Sequence, residues 1–518
     1  MIPDSAQFSD LQLRLGDDLL RFLPEMVLCG AVVMMLVGRL FRIGRLVHNS
    51  SFGILACAVG ATLIAIQWLG FTETMRGGPG FDGLLMFDPF ATFLRGLILI
   101  TTLLVLVLGR ITGLPDREDS ADFNVLLLGG TLGMMLMTSA NHLLTVFLAI
   151  EMASLPSYVL TGFLKGRPKA SEAALKYVVF GAAASGVMLF GMSLIAGRFG
   201  TGILPHIAQQ IVYGVRDNGF DLPLVAGLLF TFLGLAFKLS AVPVHLWLPD
   251  AFEGAAAEVA AFLSVASKAA AVGLTARILI TIQDQALVAG LPVTAMPKTI
   301  GMVVLIVAAI TATVGNLAAL PQTNLKRLLG YSTIAHAGYL MMALATMTQG
   351  GQAAVLVYLA AYLFMNLGAF AVVAIVRNRT GSEDVSATTG LMTRSPVLGV
   401  ALAVFLFGLL GVPPLAGFAG KFLAFSAVYD AGRTYAETDP TLGMWYYALL
   451  GVGVVNTAIS AGYYLRLMRV MSLDEPSDTT PLGEPTAAKW YIGMLAVAVV
   501  AFGIWWTPLI ELARRATG

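Results

Sequence analysis

The chain consists largely of apolar runs about as long as a bilayer is thick, and this pattern limits its fold more than any other feature. A helix needs roughly 20 mostly apolar residues to cross the hydrocarbon core. We identify fourteen such runs, and no polar segment between them is long enough for a soluble domain. They lie at 23–41, 51–70, 89–109, 122–140, 142–164, 171–197, 223–246, 256–282, 297–319, 324–348, 352–377, 396–430, 443–468 and 489–511. The sequence therefore predicts an all-α polytopic membrane protein whose residues 1–518 form one membrane domain.

The composition excludes a soluble enzyme and a disordered chain. Of 518 residues, 58% are hydrophobic and only 12% are charged, whereas soluble domains average roughly 45–50% apolar and about 25% charged residues. A net charge of +1 gives no reason to expect nucleic acid as a partner. The two cysteines, Cys29 and Cys57, cannot supply the four thiolates of an iron–sulfur cluster. If electrons move, they move in another polypeptide.

Lysine and arginine are distributed unevenly among the predicted loops. With fourteen spans, alternate loops lie on opposite sides of the membrane, and basic residues favour the cytoplasmic side. One set of loops carries more of them, including Lys165, Lys326 and Arg377, than the other set, which includes Arg198 and Arg277. This bias predicts that both termini lie outside the cytoplasm.

Two of the predicted spans carry prolines close to a lysine. Pro243 follows Lys238 in the seventh span, and Pro413 and Pro414 precede Lys421 in the twelfth. Proline removes a backbone donor and clashes with the preceding turn, so each span should break there. Broken helices at corresponding places in two halves are typical of inverted repeats around a transport site. The predicted units are a three-helix segment at 1–121, five-helix repeats at 122–282 (spans 4–8) and 297–470 (spans 9–13), and a C-terminal helix at 489–518.

Five ionisable residues lie deep in apolar context, where a charge costs roughly 2.5–3.5 kcal/mol on insertion scales. They are Glu151, Lys238, Lys268, His336 and Lys421. One interpretation is a structural ion pair between Glu151 and one lysine. Because that pair leaves two lysines without carboxylate partners, we favour a relay of groups that exchange protons. His245, beside Trp247, fits interface anchoring and proton exchange equally well.

Five segments of the chain together identify a resemblance. They are FLAIEMASLPSYVLTGFLKG at 147–166, SEAALKYVVFGAAASGVMLFGMSL at 171–194, FKLSAVPVHLWLPDAFEG at 237–254, GNLAALPQTNLKRLLGYSTIAHAGYL at 315–340 and PPLAGFAGKF at 413–422. In combination they resemble the antiporter-like subunits of respiratory complex I, the proton-pumping NADH:quinone oxidoreductase, and most closely subunit N. Lysine at position 421 argues against the sister subunit M, where glutamate is usual, and an end after fourteen spans argues against subunit L.

The resemblance implies roles for the buried charges. It places a charged pair on Glu151 and Lys238, makes Lys268 the central relay residue and Lys421 the terminal one, and matches His336 to the family's histidine. It implies no metal or prosthetic group in this chain, with NADH, FMN, iron–sulfur clusters and quinone bound by partner subunits. The expected setting is a bacterial inner membrane with both termini periplasmic. The expected partners are lipid and other complex I subunits, especially neighbouring antiporter-like and small membrane subunits.

One short stretch departs from the family pattern. Similar proteins generally read GAPTPV where this chain reads GAAAEV at 254–259, so two prolines are missing and Glu258 is gained. The departure leaves the geometry of the connection between spans seven and eight open. We interpret Glu258 as a surface carboxylate; the alternative is an added proton-collecting group beneath Lys268.

The expected function is proton translocation coupled to quinone reduction in other subunits, by a chain that does no redox chemistry itself. The alternative is a component of a multisubunit cation/proton antiporter, which shares the fold and needs no redox partner. A scaffold without a proton path is disfavoured, because a spacer has no reason to carry three buried lysines.

Overall fold

The structure, a computed structural model, describes residues 5–41, 49–70, 77–115, 119–217, 221–476 and 480–518, and nearly all of them are helical. The described residues of the N-terminal segment, 5–41, 49–70 and 77–115, contain four helices and one short hairpin. The helices are α1 Ser5–Arg21, α2 Leu23–Leu40, α3 Asn49–Gly70 and α4 Pro89–Thr112. The hairpin pairs β1 Gly78–Gly80 with β2 Leu85–Phe87 in antiparallel register, Gly78 opposite Phe87.

The middle segment, described over 119–217 and from 221 onwards, contains eight helices there, two of them joined by a π-helical turn. They are α5 Ser120–Ser139, α6 Leu143–Thr161, α7 Pro168–Phe199, α8 Leu204–Arg216, α9 Leu222–Leu239, α10 Trp247–Gly254, α11 Ala257–Phe262 and α12 Lys268–Val288. The π-helical turn Leu263–Ser267 connects α11 to α12, so that Ala257–Val288 runs as one membrane-length helix.

The last segment contains nine helices in the part that the structure describes, which omits 477–479. They are α13 Met302–Ala319, α14 Leu325–Ala345, α15 Gln349–Thr380, α16 Leu391–Arg394, α17 Pro396–Leu410, α18 Ala416–Ala436, α19 Pro440–Ser472, α20 Thr486–Ile504 and α21 Thr507–Thr517. A π-helical turn, Pro297–Gly301, leads into α13, and a 3₁₀ turn, Val385–Thr388, follows α15.

The all-α membrane prediction is confirmed, with corrections to single elements. In the described part of the chain, thirteen helices are long and apolar enough to span a membrane. The predicted span 396–430 is instead the helix pair α17 and α18, and the predicted spans 223–246 and 489–511 end earlier, at Leu239 and Ile504. The sequence analysis did not predict α1, α8 or α21, because these helices mix charged and apolar residues and lack a span-length apolar run.

Three helices form the interior of the bundle. The helix Ala257–Val288, α14 and α15 are almost entirely buried, whereas α2 and α20 expose most of their surface. A helix that is apolar all round and also buried all round belongs to the centre of a membrane bundle. The predicted residues Lys268 and His336 therefore lie in the most enclosed part of the protein.

Close helix contacts at two glycines support the predicted repeat. A Cβ at Gly133 of α5 would lie 2.4 Å from the Ala153 nitrogen of α6, and one at Gly315 of α13 would lie 2.5 Å from the Ala335 nitrogen of α14. Small residues allow membrane helices to approach this closely. Gly315 follows Gly133 by 182 positions, and Ala335 follows Ala153 by the same number. An equal spacing is expected for related helix pairs. The exact boundaries of the units stay a prediction.

Candidate functional site

The seventh span breaks after α9, as predicted from Pro243. The helix ends at Leu239, where Ser240 takes a left-handed φ of 55°, and the chain runs irregularly to α10. The indole nitrogen of Trp247 donates to the Phe237 carbonyl at 3.2 Å and fixes the two sides of the break together. Lys238 therefore sits in the last turn of a helix that ends inside the protein, only 4% exposed.

A second buried lysine closes this helix end. Lys268 is 2% exposed, and its ammonium donates to the carbonyl of Leu239, the last residue of α9. The final carbonyls of a helix lack partners within the helix and carry the negative end of its dipole. Lys268 donates to one of these carbonyls, that of Leu239, which follows Lys238 in the chain. The break therefore brings the side chain of Lys268 to the end of the helix that carries Lys238.

The twelfth span repeats this arrangement with other residues. It breaks between Leu410, the end of α17, and Ala416, the start of α18, across Pro413 and Pro414. Lys421, in the second turn of α18, donates to the Leu410 carbonyl at 2.9 Å. Each broken helix therefore ends on a carbonyl that accepts from a buried lysine. In the first repeat the lysine comes from the next span, and in the second it comes from the same span.

His336 lies at the centre of α14 among tyrosines. It is 2% exposed, and its Nδ1 lies 2.8 Å from the Tyr358 hydroxyl, while its Nε2 lies 3.3 Å from that of Tyr464. Tyr339 connects this histidine to the second break, since its ring centroid lies 5.9 Å from that of His336 and 4.8 Å from the Lys421 Nζ. His336 and Lys421 thus belong to one polar cluster. The sequence analysis missed its tyrosines, whose only signal was their position inside apolar runs.

Glu151 interacts electrostatically with Lys238 but forms no direct ion pair with it among the described residues. It is partly exposed on α6 and accepts a hydrogen bond from Ser185 of α7. Among the described residues, no ion pair within 4.0 Å includes Glu151, so it is not in direct contact with Lys238. A direct ion pair with Glu151 is therefore absent from the described residues, whereas Glu151 and Lys238 interact electrostatically without direct contact. Their role as the charged pair of the relay stays a prediction.

His245 and Glu258, the two further candidates from the sequence, are both buried. His245 is 8% exposed between α9 and α10, which does not fit an exposed interface anchor, and its Nδ1 has no hydrogen-bond partner in the described part of the chain. Glu258 is 1% exposed in the first turn of α11. The interpretation of Glu258 as a surface carboxylate is therefore wrong, because α4, α10 and α15 pack around α11.

Comparison with known proteins identifies the family. A sequence profile described as NADH:quinone oxidoreductase/Mrp antiporter, TM matches residues 140–436. NADH-quinone oxidoreductase subunit N from Anaeromyxobacter sp. (strain Fw109-5) is 40% identical over 509 residues, 95% of this chain and 95% of the relative. The chain belongs to this family. The predicted resemblance is thereby confirmed.

Chains from two solved assemblies have the same fold as this chain. A chain of respiratory complex I from Thermus thermophilus with bound Aureothin matches with a TM-score of 0.73 and 29% identity, over 95% of this chain and 99% of that one. A chain of the Mrp complex from Dietzia sp. DQ12-45-1b matches with a TM-score of 0.80 over 96% of both chains, but at 20% identity, which shows the fold alone. All five predicted relay residues lie inside the matched region 140–436.

Two basic residues that the sequence placed in loops form ion pairs inside the helix bundle. Lys326, assigned to a loop, is buried and lies 2.8 Å from Glu383, and Arg277, also assigned to a loop, lies 2.7 Å from Asp88. A pair in which both partners are buried joins Arg95 of α4 to Glu25 of α2, a carboxylate for which the sequence suggested no partner. Partners so distant in sequence leave no local pattern, so only the packing of the helices reveals them.

An ion-pair network joins the two predicted repeats of the antiporter-like core. The carboxylates Asp250 and Glu253 of α10 bind Lys169 and Lys176 of α7 and Arg327 of α14, at distances of 2.5–3.0 Å. Partial burial alone raises the pKa of both carboxyls, but hydrogen bonds from these cations outweigh it, so both pKa values lie below their ordinary range. The network therefore favours the ionised carboxylates in the folded protein.

This network predicts a loss of stability in acid. Because the folded-state pKa values are lowered, its contribution is fully present above the ordinary carboxyl pKa of about 4 and is lost as the pH falls through the lowered values. Arg327→Gln should lower the free energy of unfolding by about 1 kcal/mol at neutral pH and reduce its acid dependence. Unfolding measured against pH in detergent tests this, with Arg379→Gln, an exposed arginine, as the control. An equal effect in both variants would contradict the prediction.

Proposed function

We propose that this chain is the subunit N of a proton-pumping NADH:quinone oxidoreductase. In this proposal it moves protons through Glu151, Lys238, Lys268, His336 and Lys421, driven by quinone reduction in other subunits. The observation that carries the proposal is the pair of broken helices, each ending on a carbonyl that accepts from a buried lysine, Lys268 at 2% and Lys421 at 4% exposure. Ionisable groups enclosed in a membrane bundle mark proton or ion pathways.

In the first repeat, the distance between Glu151 and Lys238 controls whether Lys238 keeps its proton. When the carboxylate of Glu151 approaches Lys238, their attraction favours the ammonium form, and separation favours release of the proton towards Lys268. Support for a gap between the two groups comes from Glu151, which accepts from Ser185 and has no ion pair within 4.0 Å among the described residues. Water must bridge the remaining gaps, because neighbouring helix axes are about 8–10 Å apart.

The second repeat continues the path through the tyrosine cluster. His336 can pass a proton in either direction, since a neutral imidazole has one donor nitrogen and one acceptor nitrogen and its partners are hydroxyl groups. The hydroxyls of Tyr358 and Tyr464 form hydrogen bonds with the two ring nitrogens of His336. Tyr339 lies between His336 and Lys421. Lys421 then releases the proton at the second broken helix. The backbone freed at each break provides carbonyls that can orient water.

The surroundings of the chain follow from the same proposal. NADH, FMN, iron–sulfur clusters and quinone belong to partner subunits, and this chain contributes no redox chemistry. Its neighbours are antiporter-like and small membrane subunits within a bacterial inner membrane. The loops rich in lysine and arginine face the cytoplasm, which places both termini in the periplasm.

A multisubunit cation/proton antiporter is the second candidate, favoured only by the shared fold. Purification of the tagged chain with its native partners separates the two. We expect co-purification of NADH-dependent quinone reduction, and NADH-driven proton uptake without a sodium requirement after reconstitution into vesicles. Sodium-dependent proton exchange in a preparation without NADH-linked activity would select the antiporter instead.

A further inference from the structure

A carboxylate in the first turn of α11 has no role in the relay described above. Glu258 is 1% exposed, and neither of its oxygens accepts a hydrogen bond from the described residues. Burying a polar group without hydrogen bonds is unfavourable, so such groups are rare in native proteins and each calls for an explanation. The helix Ala257–Val288 that carries Glu258 also carries Lys268.

Charged groups connect Glu258 to the outside. Lys326, at the start of α14, donates to the Ala255 carbonyl at 2.6 Å and pairs with Glu383 at 2.8 Å. It also interacts electrostatically with Glu258. Glu383 is 16% exposed and lies 3.5 Å from Arg377. These interactions lead from Glu383, which is 16% exposed, to Lys326 and Glu258, which are each 1% exposed.

Polar groups also lie on the inner side of Glu258. Lys268 is roughly 15 Å farther along the helix axis, too far for direct proton transfer. Ser264 lies between them in the π-helical turn and accepts a hydrogen bond from the Asn366 amide at 2.7 Å. The Asn366 Oδ1 has no partner among the described residues and can accept from water. π-Helical turns occur frequently at functional sites, because they free backbone groups and redirect side chains.

We propose that Glu258 collects protons for Lys268 from the side of the protein where Lys326 and Glu383 lie. A proton from water binds a carboxylate oxygen of Glu258 and then moves, through water held by Ser264 and Asn366, to the neutral amine of Lys268. Lys268 becomes an ammonium ion, Glu258 returns to the carboxylate, and nothing is oxidised or reduced. This inference rests on the proposed function and adds the group that loads its central lysine.

Two substitutions remove the carboxylate while keeping the local structure. Glu258→Gln keeps the side-chain size. Glu258→Pro installs the residue that similar proteins generally carry here, in a helical first turn where proline is tolerated. In the purified complex in vesicles, both should lower the ratio of protons translocated to electrons transferred to that of Lys268→Ala. Glu258→Asp should retain most of the ratio, and Glu172→Gln, which changes an exposed carboxylate paired with Lys176, should leave it unchanged.

The possible outcomes distinguish this inference from the function on which it rests. A normal ratio in both Glu258→Gln and Glu258→Pro, together with a lowered ratio in Lys268→Ala, would overturn the role of Glu258 alone. A normal ratio in Lys268→Ala would overturn the relay itself. If Glu258 serves only to balance the charge of Lys326, the yield of Glu258→Gln complex falls while its assembled fraction pumps normally, and that result also rejects the proposal.

Discussion

Lys268→Ala should abolish proton translocation through this chain while the complex still assembles. The variant removes a buried amine that lies at the end of α9 and on the helix of Glu258. Without it, a proton leaving Lys238 has no acceptor at the break. The measurement is the proton-to-electron ratio of the purified complex in vesicles, with NADH oxidation followed in parallel. A normal ratio would defeat the assignment of Lys268.

Lys268→Arg separates the loss of a titrating group from the loss of a contact. Arginine keeps the positive charge and can donate to the Leu239 carbonyl, but it does not give up its proton at accessible pH. We therefore expect the arginine variant to assemble as well as the wild type and to pump as poorly as the alanine variant. Lys165→Ala, which removes a lysine that is 77% exposed in a surface pair, is the matched control and should pump normally.

Arg95→Ala should be among the most destabilising substitutions in the chain. Arg95 and Glu25 are 1% and 2% exposed, and the arginine also donates to Gln67 and to the Arg21 carbonyl. Removing one partner leaves a buried carboxylate uncompensated, which costs about 3–5 kcal/mol. Unfolding of the purified protein in detergent, and the yield of assembled complex, both measure the effect.

A double variant shows whether the charge or the packing matters. Replacing the pair by apolar residues, Glu25→Leu with Arg95→Met, should recover much of the stability lost in Arg95→Ala, because no unpaired charge remains. The surface pair between Arg198 and Asp221 is the control, and Arg198→Ala should cost at most about 1 kcal/mol. A loss in the double variant as large as in Arg95→Ala would show that shape, and not charge compensation, dominates at this site.

The sequence was sufficient for most membrane spans, the helix breaks and the isolated charges, each of which depends on a short stretch of chain. Apolar runs of membrane length predicted the spans, because the bilayer requires each backbone segment to satisfy its own hydrogen bonds. Pro243, Pro413 and Pro414 predicted the breaks, because proline acts on the turn that contains it. The isolated charges Lys238, Lys268 and Lys421 were visible because their neighbours in sequence are apolar.

Only the tertiary structure decided which groups meet. Lys268 meets the end of α9, Lys421 meets the end of α17, and His336 meets tyrosines from two other helices. The same packing buries Glu258, which the sequence placed at the surface, and leaves Glu151 in electrostatic but not direct contact with Lys238. These contacts join residues from different helices, and their geometry depends on how the helices cross and rotate. Local composition sets which segments enter the membrane, whereas helix packing sets which of their side chains can exchange a proton.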